Sequence, residues 1–326
     1  MLVASDIVLD VLQKLVGTAI NFQNEKEMAR FYLRLDRIKQ RSDFVYVWIP
    51  VFLDTTRTLI YRLAKILSQV NKEYPSEIEP YSSNFDNYAC SKFPDWSMTH
   101  EYALYTTAYL IAKFFGWNSV IRHECLISYF LDESEKDFLD DSYFYLSESL
   151  GNYYRNLDDL ELTGYDRQVY REQTMTIGSL MIRKVDGQYQ CLSYPEFLTL
   201  IKNEEEHFAP LFELLRDIDY TQQSKRYRRL MDFTFKLSWY DADVYFLSEI
   251  IKKRMDSKDT LEISDEEKVL LQNYVAERNK ERIAYSINKS DGTRPLLPYD
   301  KNILTIDIAR RNRRTFAKEK LDILFL

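Results

Sequence analysis

The stretch SMTHEYALYTTAYLIAKFFGWNSVIRHECLISYFL, residues 97–131, decides how this chain reads. It carries no charge between Glu101 and Lys113, and a helix drawn through that run is apolar on nearly every side. Such a helix must be surrounded by other elements. The run is too short and too rich in hydroxyls to cross a bilayer, and its length suits a buried core helix. Glycine commonly ends a helix and asparagine caps the next, so Gly116 and Asn118 predict a break and a second helix to Leu131. The expected centre is a buried helical hairpin, with Leu110 and Ile111 in its core.

Upstream, apolar residues at helical spacing predict helices over 2–20 (Val8, Leu12, Leu15, Val16), 25–49 (Met28, Tyr32, Leu35, Ile38) and 50–71 (Leu59, Leu63, Ile66, Val70). The segment Phe44–Trp48 is β-branched and aromatic enough for a short strand, and Pro50 suits the first turn of a new helix. Pro75, Pro80 and Pro94 break up residues 73–96, which read as an irregular cover over the hairpin. Downstream, 132–151 and 166–184 are helix candidates. Asp186-Gly187 predicts a turn into a short strand over 188–192. Ser193-Tyr194-Pro195-Glu196 and Ser264-Asp265-Glu266-Glu267 are capping boxes that open helices. Pro210 starts a short helix, and a long one spans 221–255.

The fold class expected is mainly α: a multi-helix bundle around the central hairpin, with at most one small β-hairpin. Only 7 Gly and 8 Pro occur in 326 residues. Both fall well below the usual shares of about 7 % and 5 %, so long helices and few tight turns are expected. Phosphate-cradling loops need clustered glycine, and neither GxGxxG nor GxxxxGK[ST] is present. The three cysteines, Cys90, Cys125 and Cys191, form no CxxC and no even framework, which suits a reducing, cytoplasmic setting. Asp6 and Asp10 interrupt the apolar run of 2–20, so no membrane span is expected there. The polar connection at 256–261 divides the chain into a helical core domain, 1–255, and a basic helical extension, 256–326.

No motif selects a catalytic residue, a cofactor or a metal, so none is assigned. In the expected hairpin His100 and His123 stand at heights about 13 Å apart, too far to share an ion. Glu204 and His207 make one Glu-x-x-His, whereas di-iron bundles use two copies with two further glutamates. The 25 tyrosines suit either a Tyr-rich core or a recognition surface.

Charge is segregated. Residues 132–161 hold ten acids against two bases, and residues 278–320 hold twelve bases against five acids. Two arginine clusters are the candidate interaction residues: Arg226, Arg228 and Arg229, and Arg310, Arg311, Arg313 and Arg314. Such clusters clamp phosphates or pair with acidic surfaces. Leu321, Ile323, Leu324, Phe325 and Leu326 add an apolar end that needs a cover.

The passage WSMTHEYALYTTAYLIAKFFGW (96–117), with IRHEC (121–125) and TIGSLMI (176–182), resembles a group of mostly bacterial helical proteins of no known activity. The resemblance spans residues 51 to about 235 and transfers no catalytic residue. Members of that group often carry an N-terminal membrane helix, from which this chain departs at Asp6 and Asp10. The expectation is a non-catalytic interaction or regulatory protein of a bacterial cytosol, with a protein partner or self-association. The alternatives are a nucleic-acid accessory factor using the basic C-terminal region, and an enzyme of unrecognised type.

Overall fold

The computed structural model describes residues 25–69, 100–127, 131–151, 169–216, 225–256 and 263–290. The expected helix over 2–20, the cover at 73–96 and the tail from 291 lie outside these residues. In chain order the elements are α1 Glu25–Asp43, a π-turn Phe44–Trp48, α2 Ile49–Gln69, α3 His100–Ile127, α4 Glu133–Gly151, α5 Arg171–Met181, β1 Ile182–Val185, β2 Gln188–Cys191, α6 Tyr194–Asn203, α7 Glu205–Arg216, α8 Lys225–Asp256 and α9 Asp265–Ser290. The fold is mainly α with one two-stranded antiparallel sheet, Ile182 facing Cys191 and Val185 facing Gln188. Asp186 (φ 50°) and Gly187 (φ 79°) make its turn in the left-handed region, as an Asp-Gly hairpin requires.

Local signals place several elements as expected. The backbone N–H of Ser193 donates to Glu196 Oε2 (2.8 Å) where α6 opens. At α9 the N–H of Ser264 donates to Glu267 Oε2 (2.8 Å), and Glu267 N–H donates back to Ser264 Oγ (3.1 Å). These reciprocal bonds satisfy donors that a helix start leaves open.

The central hairpin is not formed. Residues 100–127 are one helix of 28 residues that runs straight through Gly116. Gly116 serves contact rather than termination: a Cβ there would meet Met181 Cβ at 3.1 Å and Ile182 Cγ1 at 3.2 Å. His100 and His123 therefore stand about 35 Å apart along one axis. Ile111 is buried as expected, whereas Leu110 is only partly buried at the edge of the core.

Upstream, the expected strand and new helix are also replaced. Residues 25–69 are helical without a break, and Phe44–Trp48 forms a π-turn in which Ile49 N–H bonds the carbonyl of Phe44. Pro50 has no N–H to give, and its ring would crowd the carbonyl four residues back. The wider π-turn opens the ladder just before it, so the helix passes through. Pro210 likewise lies inside α7, which begins at Glu205. The expected helix over 166–184 starts at Arg171 and gives way to β1 after Met181.

Neighbouring helices pack in the order α5–α3–α2–α8–α4. Their joint is aromatic. Phe52 of α2 lies 5.7 Å from both Phe114 of α3 and Tyr240 of α8, and Tyr143 of α4 lies 6.0 Å from Tyr240 (ring centroids). The Tyr240 hydroxyl donates to Asn118 Oδ1 at 2.6 Å, so this buried tyrosine keeps a partner. Asn118 thus braces the core instead of capping a helix. Beyond the expected boundary at 256, α9 packs Tyr274 flat on Phe246 of α8, centroids 3.9 Å apart.

Candidate functional site

From Asp232 to Val244 every residue of α8 is buried, although the run includes Asp232, Lys236, Asp241 and Asp243. Charges at such depth need partners. Asp232 and Lys236 pair one turn apart at 3.5 Å, and the Lys236 ammonium stands 4.3 Å over the Tyr145 ring. Arg278 of α9 donates to Asp243 Oδ2 (2.9 Å) and to Ser142 Oγ of α4 (2.7 Å), and lies 5.0 Å over Phe138. One guanidinium thereby joins three helices.

A second buried network sits where α1, α4, α8 and α9 meet. Arg254 donates through Nη2 to Glu135 Oε1 (2.8 Å) and through Nε to Glu267 Oε2 (3.1 Å). Glu135, wholly buried, also accepts the backbone N–H of Asp132 (2.8 Å). Burial opposes the charge on Arg254, but Glu135 and Glu267 outweigh it and hold the guanidinium above its ordinary range. Arg41, at the base of α1, is pulled down to about 10 by burial and by the neighbouring Arg254. These ionisable groups are spent on helix–helix bridges.

A third cluster is more open. Arg122 and Arg171 both pair with Asp140, and Arg122 lies 4.3 Å over the Tyr143 ring. Tyr143 and Thr174 share a hydroxyl hydrogen bond of 2.8 Å, and burial raises the Tyr143 pKa. Near the hairpin, the Tyr109 hydroxyl donates to the Leu192 carbonyl (3.0 Å). The Cys191 thiol is pushed up to about 12 by burial, which keeps it protonated and a poor nucleophile at neutral pH. Glu196 is held down at about 2 by the Ser193 hydroxyl and N–H, with Arg183 adding to them.

Among the described residues, no three or more His, Cys, Asp or Glu side chains are grouped to hold a metal, and no helix is long and apolar enough to cross a membrane. His207 stands 3.6 Å from Glu204 and 3.7 Å from Glu206 at a half-exposed helix junction. Arg226, Arg228 and Arg229 fall at the start of α8, and Arg310, Arg311, Arg313 and Arg314 lie outside the described residues.

The exposed surface carries the pattern that these clusters suggested, on different residues. α4 buries Phe138, Leu139, Tyr143 and Leu146 and turns Glu133, Asp137, Asp141 and Phe144 outward. Their spacing of 4, 4 and 3 residues sets them on one stripe. α1 is largely exposed until Arg41. It shows Arg30, Arg34 and Arg37 on one face, flanked by Leu33, and Met28 and Tyr32 on the opposite face. The arginine spacing, i, i+4, i+7, was visible in the sequence, but the helix is read there from its apolar residues alone.

No known family, curated protein or solved structure matches this chain.

Proposed function

We propose that this chain is a non-catalytic interaction or regulatory protein of a bacterial cytosol that acts through protein–protein contacts. One observation carries the reading: α1 exposes an arginine stripe, Arg30, Arg34 and Arg37, flanked by Leu33, and α4 exposes a carboxylate stripe, Glu133, Asp137 and Asp141, that ends at Phe144. Arg and Phe among charged neighbours is the composition of recognition surfaces. The buried Arg and Glu side chains support it from the other side, because they join helices. The bacterial setting rests on the resemblance in residues 96–117, 121–125 and 176–182.

The test is reconstitution from purified components, guided by cross-linking in cells. A stoichiometric complex with a protein, weakened by reversing charges on α1 or α4 while the melt is unchanged, supports the reading. Steeply salt-dependent binding to DNA or RNA, lost on removal of residues 310–326, would replace it with a nucleic-acid role.

A further inference from the structure

We propose that two copies of this chain associate by exchanging their α1 arms, the basic face of α1 in one copy lying along the acidic face of α4 in the other. The inference rests on the interaction reading above and names the partner as a second copy.

The arm is built to project. It continues into α2 through the π-turn, so α2 in the core fixes its direction. Its base is anchored by buried Arg41, beside Arg254. Beyond that base it exposes Arg30, Arg34 and Arg37 on one face, where Glu27 is the one exposed acid and Leu33 (59 %) flanks the stripe; Met28 (42 %) and Tyr32 (60 %) stand on the opposite side. The receiving face carries Glu133, Asp137 and Asp141, ending at Phe144 (49 % exposed), with Met175 of α5 (49 %) also open. Within one copy neither stripe is covered: all six charged residues are exposed. None of the six charged residues forms an ion pair among the described residues.

Charge decides between the ways two copies could meet. Arm against arm sets Arg30, Arg34 and Arg37 near their own equivalents, and α4 against α4 does the same with three carboxylates. Arm on α4 pairs opposite charges spaced at one helical turn on both sides. Done reciprocally, it is a closed two-fold arrangement in which each copy gives one arm and receives one. Exposed ion pairs contribute little singly. Leu33 against Phe144 and Met175 therefore supplies the anchor, and the charges select the partner and orientation.

Sedimentation of the full chain and two charge-reversed forms tests this. One form carries R30E, R34E and R37E; the other carries E133K, D137K and D141K. The wild-type chain should sediment as a dimer that weakens as salt rises. Each reversed form alone should be monomeric, because its arm and its α4 face then carry the same sign. An equimolar mixture should regain a dimer containing one of each, since both contacts again join opposite charges. A wild-type chain that stays monomeric, a dimer indifferent to both reversals, or a mixture of two normally melting variants that stays monomeric overturns the proposal. Should either triple variant fail to melt cooperatively, R34E and D137K carry the same comparison. A monomeric wild-type chain that still cross-links to another protein in cells defeats arm exchange and leaves the interaction reading standing. Monomer without cross-links defeats both.

Discussion

Gly178 of α5 lies directly against the backbone of Phe115 in α3: a Cβ at 178 would stand 2.5 Å from the Phe115 carbonyl oxygen and 2.9 Å from its carbon. The two helices cross at backbone contact there. Gly178→Ala gains about 1 kcal/mol of helix propensity, and it forces the helices apart at about 1–3 kcal/mol. The expected net is a lower melting temperature. Gly116→Ala meets only side-chain carbons at 3.1–3.2 Å and should be tolerated better. Thermal melts of both variants check the order, and Gly178→Ala melting above Gly116→Ala would refute the crossing.

The pair Arg278–Asp243 should behave as a buried bridge. Removing one partner strands a charge in the core, and Asp243→Leu or Arg278→Met alone should cost about 3–5 kcal/mol. Replacing both should recover most of that loss. Denaturant titration of the two single variants and the double gives the coupling, and additive losses would show that the two side chains act independently.

Cys191 should be a silent thiol in the folded chain. Burial raises its pKa from 9.0 to about 12, so at pH 8 the folded thiol is protonated while the unfolded one ionises in part. As pH rises through 9 the unfolded state sheds a proton that the folded state keeps, and stability falls between about 9 and about 12. In a chain with Cys90 and Cys125 replaced by serine, thiol labelling at pH 8 should be slow until denaturant is added. Equal rates with and without denaturant would contradict the burial argument.

Glu196 titrates in the opposite window. Its folded pKa is about 2 against an ordinary 4.5, so its contribution is present above 4.5 and is lost as pH falls towards 2. Glu196→Gln should remove that part of the acid dependence and leave the rest. Stability measured from pH 5 to pH 2 checks this; parallel curves for the two proteins would place the acid sensitivity elsewhere.

Short-range signals were legible in the sequence. The boxes at Ser193 and Ser264 and the Asp186-Gly187 turn are set by residues within three positions of one another, and they appear where expected. Signals that depend on a distant neighbour were not. Gly116 reads the same whether it ends a helix or admits Met181 and Ile182, because both uses need a missing Cβ. Pro50 reads as a helix start, and only the π-turn before it lets the helix continue. Asp232, Lys236 and Asp243 make α8 look half solvated, when each is answered by another side chain in the core. The acidic bias of 132–161 was plain, but its direction was not. Only the burial of Glu135 and the exposure of Glu133, Asp137 and Asp141 separate structural carboxylates from a surface stripe.

The central claim, that this chain works through protein contacts on its α1 and α4 faces, is tested most directly by photo-cross-linking in cells. A benzophenone amino acid would replace Leu33 in one chain and Phe144 in another, with Tyr61, equally exposed on α2, as the control. The account predicts discrete protein adducts from positions 33 and 144 and none from 61, with a mass twice that of the chain where the partner is a second copy. Protein adducts absent from both positions, or adducts to nucleic acid alone, would contradict it.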